Sequence, residues 1–444
     1  MEPVTLFFLA FVVLLVIRTP LYLCLLGSSL VYFNFNTDLS LMTGMSKMMN
    51  APNSFTLLAV PFFILAAQIM NNGGVTDRIF GFSKQLFGHF RGGLAYVNVF
   101  SSLIFSGISG SALADVGGLG VIEMKAMRDE NYDDDIILGV TGASSTVGPI
   151  IPPSIPFVIY ASMAGVSVGG MFLAGIGPGI LLSIVLCIYI YFIVKKRNYP
   201  KHKRATLKEI VTSFWGALPA LLFPVIMLGG IWGGMFTPTE AALISITYGL
   251  IVSCLVYRDM KISSLPKLLL ISVRQVGPSI AVVVTASLFA WILTYEKVDK
   301  VIVQFILSFT SNRIIILMIK FILSFTSNRI IILMIINIFL LFLGMFVEVV
   351  AAIMITLPIL TPLMLIAGIH PIHMGIILTL NMMIGLLTPP VGFSLYMLSS
   401  TSGHPLNKVV RMVMPWWIPL FFSLLLVTYV EPVTMWLPRL LGFA

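Results

Sequence analysis

A stretch without ionisable side chains, residues 141–165, contains Pro149, Pro152, Pro153 and Pro156 within eight residues. Each proline removes a backbone hydrogen-bond donor and clashes with the preceding turn, so no continuous helix passes through these positions. In an apolar chain such a break leaves carbonyl groups unpaired, and these are tolerated at membrane depth only where protein buries them or they line a polar cavity. Carbonyl oxygens that converge on one point are good sodium ligands. The break is therefore interpreted as half of an ion site.

A second stretch, residues 386–396 (LLTPPVGFSLY), repeats this design with another Pro-Pro pair. A glycine flanked by apolar residues precedes each break. Gly107 and Pro152 are 45 residues apart, as are Gly344 and Pro389, so one offset of 237 relates both pairs. Two such halves are typical of an internal-repeat transporter. Two proline-kinked helices with coincidental spacing are the alternative.

The composition indicates a polytopic membrane protein. Of the 444 residues, 58% are hydrophobic and 10% are charged, and the mean hydropathy is +1.04, whereas a soluble domain has roughly 25% charged residues. Charge-free runs long enough to cross a bilayer leave room for about ten crossings. These runs are 136–194, 210–239, 241–257, 275–295, 349–369 and 374–403.

The net charge of +9 does not indicate a nucleic-acid partner, because seven basic residues lie in one loop, 195–208, between apolar spans. Such a loop is typical of the cytoplasmic side of a membrane protein. The three cysteines, Cys24, Cys187 and Cys254, lie in apolar stretches. We expect them to be reduced packing residues without disulfide or metal roles.

The N-terminal region leaves one question open. Residues 4–33 are apolar apart from an Arg-Thr-Pro interruption at 18–20. This apolar stretch is too long for one upright helix and short for two. The apolar run begins at once, without a basic leading region, so we expect the N-terminus to be retained. After a polar stretch at 34–54, apolar and charged residues alternate at helical spacing over 75–90, which predicts a helix lying in the interface plane.

The segment 92–128 is rich in small residues and ends before the acidic run 129–135. Small residues also suit a close helix-packing face, and an acidic run is commonly a solvated loop and helix cap. Counting crossings favours a hairpin. If the loop 195–208 is cytoplasmic, single crossings at 171–194 and 136–163 place the acidic run on the same side, so both ends of 92–128 share it and the segment is re-entrant.

Continuing the count, 210–232 exits, 240–257 returns and 275–295 exits again. The basic residues between positions 258 and 274 then lie in the cytoplasm, as the positive-inside rule requires. The second hairpin, around Gly344, therefore opens to the opposite side from the first. The two halves are predicted to form an inverted repeat.

Two local features carry specific expectations. Thr237-Pro238-Thr239-Glu240 has the pattern of a helix start, with Thr as the N-cap, Pro at the first helical position and Glu at the third. Glu348 is an ionisable residue beside the glycine of the second hairpin in an otherwise apolar run, which makes it a functional candidate. The alternative for Glu348 is a residue at the hairpin tip that faces water.

These residues resemble the large membrane subunit of tripartite ATP-independent periplasmic (TRAP) transporters over nearly the whole chain. The motifs that carry the resemblance are SFTLLAVPFFILA (54–66), SGSALAD (109–115), PIIPPSIPF (149–157), GMFTPTEAA (234–242), ITLPILTPL (355–363) and GLLTPPVG (385–392). The resemblance implies an all-α polytopic membrane protein of the bacterial inner membrane. It implies an inverted-repeat, elevator-type transporter with two re-entrant helical hairpins and two proline-broken helices.

The implied function is that of a sodium-coupled permease subunit, not an enzyme, which imports an organic acid such as a carboxylate or sugar acid. The implied partners are a small four-helix membrane subunit, a soluble periplasmic substrate-binding protein and membrane lipid, without nucleic acid. Sodium ions act as coupling ions, and no organic cofactor is expected. An ion or solute channel is the alternative, and an intramembrane enzyme is disfavoured because the chain has no HExxH motif.

The resemblance also implies site residues, mostly through backbone carbonyls of each hairpin tip and its broken helix. The first sodium site would use Ser106, Ser109, Gly148, Ile151 and Pro153. The second would use Gly344, Gly385, Thr388 and Val391. The substrate would lie between the hairpin tips, near Ser111 and Glu348. This chain departs from the family at Glu348, where an aspartate is usual.

The expected organisation has five parts. Scaffold spans and an interfacial helix occupy 1–91, and the first transport-domain repeat occupies 92–194. The basic loop, central scaffold spans and a second interfacial helix follow over 195–329. The second repeat covers 330–412, and a C-terminal span covers 413–444.

Residues 305–320 are followed by a tandem copy, 321–336, that matches at 15 of 16 positions. Each copy contains Thr-Ser-Asn-Arg before an apolar run, so either copy could begin the helix that leads to Gly344. We expect the second to do so, because Arg329 lies 15 residues before Gly344 and a helix of that length, ~22 Å, reaches well into a membrane core ~30 Å thick.

Deleting residues 305–320 should therefore leave folding and uptake intact or improved, as measured by substrate uptake into proteoliposomes. Loss of a transport activity that the full chain possesses would show that the first copy is an integrated part of the structure.

Overall fold

The computed structural model describes residues 3–17, 19–36, 39–50, 53–197, 199–298 and 328–443. Every regular element in these ranges is helical, which confirms the all-α class. Six helices in the described ranges are long and apolar enough to cross a membrane: Phe55–Asn72, Val168–Val194, Leu207–Trp232, Pro238–Val256, Ile262–Tyr295 and Leu406–Tyr429. The sequence estimate of about ten crossings is larger because other charge-free runs are divided into shorter helices.

The N-terminal apolar stretch forms two helices, α1 (Pro3–Val16) and α2 (Leu21–Phe35), which pack against each other. The rings of Phe7 and Tyr32 meet edge to face across this contact, with their centroids 6.0 Å apart. A further helix, α3 (Leu41–Asn50), occupies the stretch for which the sequence predicted only polar character. It forms because leucine and several methionines recur there at helical spacing and give the helix one apolar face.

The first half of the chain then builds a helical hairpin and a broken helix. After α4 (Ala59–Asn72) and α5 (Val75–Phe87), the hairpin consists of α6 (Gly93–Ser109), α7 (Ala112–Gly117) and α8 (Leu119–Asp129). The proline-rich stretch separates α9 (Asp134–Ser145) from α10 (Ile155–Ala164), and α11 (Val168–Val194) follows. The structure thus confirms the helix break predicted from the prolines.

The middle of the chain contains α12 (Leu207–Trp232), α13 (Pro238–Leu250) and α14 (Leu265–Tyr295). Thr237 and Glu240 cap α13 reciprocally: the Thr237 hydroxyl accepts from the Glu240 amide, and the Glu240 carboxylate accepts from the Thr237 amide at 2.7 Å. The predicted helix start is confirmed. The span predicted to begin at 275 begins earlier, because the long side chains of Lys267 and Arg274 can reach water from within the helix.

The second half repeats the order of the first. Its hairpin consists of α15 (Asn328–Gly344) and α16 (Val349–Ala367), and its broken helix consists of α17 (Pro371–Gly385) and α18 (Phe393–Ser402). The chain ends with α19 (Leu406–Val413), α20 (Trp417–Tyr429) and α21 (Pro432–Leu440). The starts of α7 and α16 differ by 237 residues, as do those of α9 and α17, so the offset found in the sequence also relates helix boundaries.

Of the duplicated stretch 305–336, the described residues include 328–336 and none of 305–320. The described part of α15 carries Arg329, from the second copy. The Arg329 guanidinium binds the Glu431 carboxylate at 2.5 Å, and Arg439 binds the other oxygen of Glu431 at 2.5 Å. This ion-pair group ties the start of the second hairpin to the end of α20.

The acidic run between α8 and α9 belongs to a second group of ion pairs. Arg197, just after α11, binds Asp133 at 2.7 Å and Asp135 at 2.6 Å. His404, just before α19, binds Asp134 at 2.8 Å. The acidic run was predicted as a solvated loop and helix cap, but Asp133 makes no capping bond at the start of α9, because its carboxylate is engaged by Arg197 and Tyr199.

Both partners of Asp133 favour its charged form, so the Tyr199 hydroxyl and the Arg197 guanidinium lower the pKa of that carboxyl. A carboxyl with a lowered folded-state pKa stabilises the fold above its unfolded-state value, and this contribution is lost as the pH falls through the folded-state value. The ion-pair group should therefore act at neutral pH and fade in acid.

We expect Arg197→Gln to destabilise the protein by about 1 kcal/mol at pH 7, since the pairs are partly exposed. The difference in unfolding free energy between this variant and the parent should narrow as the pH falls below 4. Thermal unfolding in detergent measures both effects, and Arg204→Gln, in the same loop, is the matched control. An equal loss for both variants, or a loss that does not depend on pH, would contradict this role.

Candidate functional site

The first hairpin turns at Gly110, which lies against the proline break between α9 and α10. A Cβ atom at Gly110 would stand 2.3 Å from the Pro153 carbonyl oxygen, and Gly110 has a φ of +58°, so only glycine fits the turn. On the other side, a Cβ at Gly148 would stand 3.2 Å from the carbonyl carbon of Ser111. The hairpin tip and the broken helix therefore meet through backbone atoms.

The second hairpin also meets its broken helix through backbone atoms. A Cβ at Gly385 would stand 2.5 Å from the carbonyl carbon of Gly344, and the Gly392 amide donates to the Met345 carbonyl at 3.3 Å. The Pro389-Pro390 peptide is cis, as is Pro152-Pro153 in the first break. Both breaks thus share their local backbone form as well as their sequence pattern.

The residues predicted for the first sodium site lie along this tip-to-break contact. Ser106, Ser109, Gly148 and Pro153 are buried, and Ile151 is half-buried. Residue Ser109 is 6% exposed, and its buried hydroxyl oxygen has no hydrogen-bond partner among the described residues. A buried oxygen left unpaired one residue before Gly110, which itself contacts the Pro153 carbonyl, suits a small cation, since an unsatisfied polar group is costly in an apolar interior.

The residues predicted for the second site are arranged in the same way. Gly344 and Gly385 touch, and the Thr388 amide and hydroxyl bond to the Gly385 and Ile384 carbonyls at 2.9 and 2.8 Å. Val391 is half-buried and immediately precedes Gly392, which bonds to the second hairpin tip. Both predicted residue sets therefore lie at the junction of a hairpin tip with a broken helix.

The predicted substrate residues, Ser111 and Glu348, line one cavity of about 400 Å³. Their positions differ by 237 residues, and each is an N-cap: Ser111 accepts from the Ala114 amide at 3.4 Å, and Glu348 from the Val350 amide at 3.0 Å. Glu348 therefore caps α16 and lines the cavity at the same time.

The cavity also involves a residue that sequence reasoning missed. Gln275, from α14, lines it together with the hairpin residues. Its signal was present, because a polar side chain within an apolar run calls for a partner or a ligand. The Gln275 amide oxygen accepts from Gln68 at 3.1 Å, so the two glutamines link α14 to α4 at the cavity wall.

Buried polar clamps hold each hairpin on its broken helix, and these were also missed. In the first half, Asn98 donates to Thr141 at 2.9 Å and accepts from Ser144 at 2.7 Å. In the second half, Asn381 donates to Asn337 at 2.7 Å. Ser144 and Asn381 stand at equivalent positions in the offset of 237. The available signal was an asparagine in an apolar run with a polar partner 43 to 46 residues away.

Comparison with known sequences decides the family. The profile described as "Tripartite ATP-independent periplasmic transporter, DctM component" matches residues 8–433. The chain belongs to this family. The large permease protein SiaM of a sialic acid TRAP transporter from Vibrio cholerae is 41% identical over 398 residues, which are 89% of this chain and 90% of that one. The C4-dicarboxylate TRAP transporter large permease protein DctM of Pseudomonas aeruginosa is 38% identical, covering 90% of each chain.

A solved structure with this fold is the YdaH transporter of Alcanivorax borkumensis. It has a TM-score of 0.64 at 12% sequence identity, and the match covers 98% of this chain and 100% of that one. This likeness concerns the fold alone. As a TRAP large permease, the chain is a multi-pass protein of the inner membrane and a transporter subunit, not an enzyme, which confirms those predictions.

The contact between Gly344 and Gly385 generates a test of the permease. Gly385→Ala would place a methyl group 2.5 Å from the Gly344 backbone, so the hairpin tip must move away from the break. We expect uptake to fall at least tenfold while the protein still elutes as a single species. Gly229→Ala is the control, because its Cβ meets open space. Full activity of Gly385→Ala would show that the contact is dispensable.

Proposed function

We propose that the permease imports an organic acid by coupling its movement to sodium. The observation that carries this proposal is the position of one cavity between two hairpin tips, each pressed against a proline-broken helix. Backbone carbonyls at such breaks are suitable ligands for sodium, and a cation bound there would favour the closed contact between tip and break. Sodium would occupy the two predicted sites as a transported coupling ion.

The cavity also suits an anionic substrate. The first turns of α10, α16 and α18 all line it, at Ile155, Val350 and Phe393. A helix N-terminus carries partial positive charge from unpaired amide groups and favours a carboxylate. Glu348 accepts from the first turn of its own helix, so part of its charge is already compensated. The related permeases are named for sialic acid and for C4-dicarboxylates, which are both organic acids.

The two hairpins form an inverted repeat in this proposal. The first hairpin begins beside Arg91, whose guanidinium donates to the Arg197 carbonyl at 2.6 Å, within the ion-pair group that includes His404. The second begins at Arg329, which is bound to Glu431. The apolar segment Leu406–Tyr429 runs between these two groups and is long enough to cross a membrane. The hairpins thus begin at opposite ends of a span, as two re-entrant hairpins in an inverted repeat would.

In an elevator mechanism, the repeats at 92–194 and 330–412 would move together against the scaffold formed by the other spans. Gln275 on α14 and the hairpin tips line the same cavity, so such movement would take place at the cavity wall and would expose the substrate. The proposed partners are a small four-helix membrane subunit and a periplasmic substrate-binding protein. This chain spans 58% of the length of a longer relative, the isethionate permease protein DctMQ of Oleidesulfovibrio alaskensis. The remaining part of that relative supports the proposal that a second membrane subunit accompanies this chain.

The proposal is tested with the permease and its two partners in proteoliposomes. An inward sodium gradient should drive saturable uptake without ATP, and uptake should cease when the binding protein is omitted. Uptake that follows a proton gradient without sodium would contradict sodium coupling. Uptake that does not saturate and lacks a fixed sodium stoichiometry would indicate a channel.

The second sodium site predicts a specific loss. Thr388→Val should raise the sodium concentration for half-maximal uptake about tenfold, which corresponds to about 1.4 kcal/mol of binding free energy. Thr379→Val is the matched control, because both hydroxyls donate to the carbonyl four residues earlier, at 2.8 Å, and both are buried in the same region. Only Thr388 lies at the break. Equal shifts in the two variants would remove this site assignment.

A further inference from the structure

An apolar groove runs along the surface between α6 and α11, away from the cavity of the hairpin tips. It has a volume of about 480 Å³, and its walls include Phe100 and Leu103 on α6 and Ile184 and Ile188 on α11. Ile184 and Ile188 are 52% and 53% exposed. Exposed apolar side chains on two neighbouring helices form a surface that, in a membrane protein, contacts acyl chains.

The length of the groove matches one leaflet. Its α11 wall extends from Ile180 to Phe192, which is about 18 Å of helix. Half of a hydrocarbon core ~30 Å thick is about 15 Å. An extended acyl chain of a single leaflet therefore fits along the groove from the interface to the bilayer centre.

Basic side chains stand at one end of the groove. The Lys195 amide donates to the Tyr191 carbonyl at 3.1 Å, so Lys195 lies one helical turn beyond a wall residue and on the same face. Lys196 lies one turn beyond Phe192, and both lysines are exposed. On α6, the corresponding end is the start of the helix at Gly93, two residues after Arg91. This helix start is buried and its Leu94 amide donates to the Tyr132 hydroxyl, so an anionic group at this end of the groove would meet the two lysine side chains.

In the described part of the chain, the acidic residues that bind the start of the basic loop are paired with other basic side chains and form no ion pair with Lys195 or Lys196. Asp133 and Asp135 are bound to Arg197, and Glu130 is bound to Lys84 and His202. We propose that the groove between α6 and α11 binds an anionic phospholipid, with one acyl chain along the groove and the phosphate at Lys195 and Lys196. Basic pockets at the cytoplasmic end of membrane helices recognise anionic headgroups in this way.

The test uses an introduced indole as a reporter of lipid in the groove. Phe100→Trp and, separately, Ile184→Trp are reconstituted into phosphatidylcholine that contains a small fraction of brominated phosphatidylglycerol or of brominated phosphatidylcholine. Bromine quenches an indole only at short range. After the signal of the parent protein is subtracted, we expect brominated phosphatidylglycerol to associate with the groove about tenfold more strongly than brominated phosphatidylcholine.

Lys195→Gln with Lys196→Gln should abolish this preference, and Lys201→Gln with Lys203→Gln, in the same loop beyond the groove end, should retain it. Equal quenching by the two brominated lipids in the indole variants that keep Lys195 and Lys196 would overturn the proposal. Loss of all quenching when the small membrane subunit is added would also overturn it, because a protein partner would then cover the groove. Neither result depends on transport, so the lipid site stands or falls separately from sodium coupling.

Discussion

The arrangement of both repeats depends on one constraint, which is the contact between each hairpin tip and its broken helix. Prolines force α9 and α17 to end inside an apolar region, and the freed backbone groups need partners there. Gly110 and Gly344 lack side chains, so each tip approaches its break to backbone contact. In the second half the Gly392 amide also donates to the Met345 carbonyl of the tip. A side chain at either glycine would separate the two segments and leave polar groups unpaired, which is costly in an apolar interior.

This contact also explains why the polar clamps lie where they do. Asn98 joins α6 to α9, and Asn381 joins α17 to α15, so these bonds fix the register of each hairpin against its broken helix. With the register fixed, Ser111 and Glu348 reach the same cavity from opposite repeats. The ion-pair groups around Arg197 and Glu431 hold the outer ends. Under the proposed function, ion contacts and substrate contacts would share this one backbone framework.

Much of this architecture could be predicted from the sequence, because the decisive signals are local. Prolines and the Thr237 capping box act through neighbouring backbone, and each gave the correct break or helix start. The glycine predicted for the first half, Gly107, lies inside α6 instead, and the chain turns at Gly110. Two kinds of feature could not be read in this way. The start of α14 depends on how far its basic side chains reach to water, and α3 depends on apolar residues along one helix face, and charge-free run length measures neither.

Tertiary contacts were the second kind of feature beyond reach. Nothing adjacent to Gln275 in sequence places it in the cavity wall with the hairpin tips, and the pairing of Asp133 with Arg197 joins segments 64 residues apart. The offset of 237 did allow one long-range inference, that of two equivalent halves, and Ser111 and Glu348, which were predicted from the family resemblance, also differ by 237. The physical reason is that a repeat encodes the same packing twice, so its spacing carries information about contacts between distant segments.

Hydrogen–deuterium exchange of the permease in sodium, compared with potassium at equal ionic strength, tests the central claim most directly. If sodium is held between hairpin tips and breaks, exchange should slow at residues 107–111, 146–153, 344–348 and 386–392, and remain unchanged in α12 and α13. Ions bound at these backbone carbonyls would protect the adjoining amides, whereas bulk salt would not. Identical exchange in the two salts, or sodium protection confined to the scaffold helices, would contradict the account.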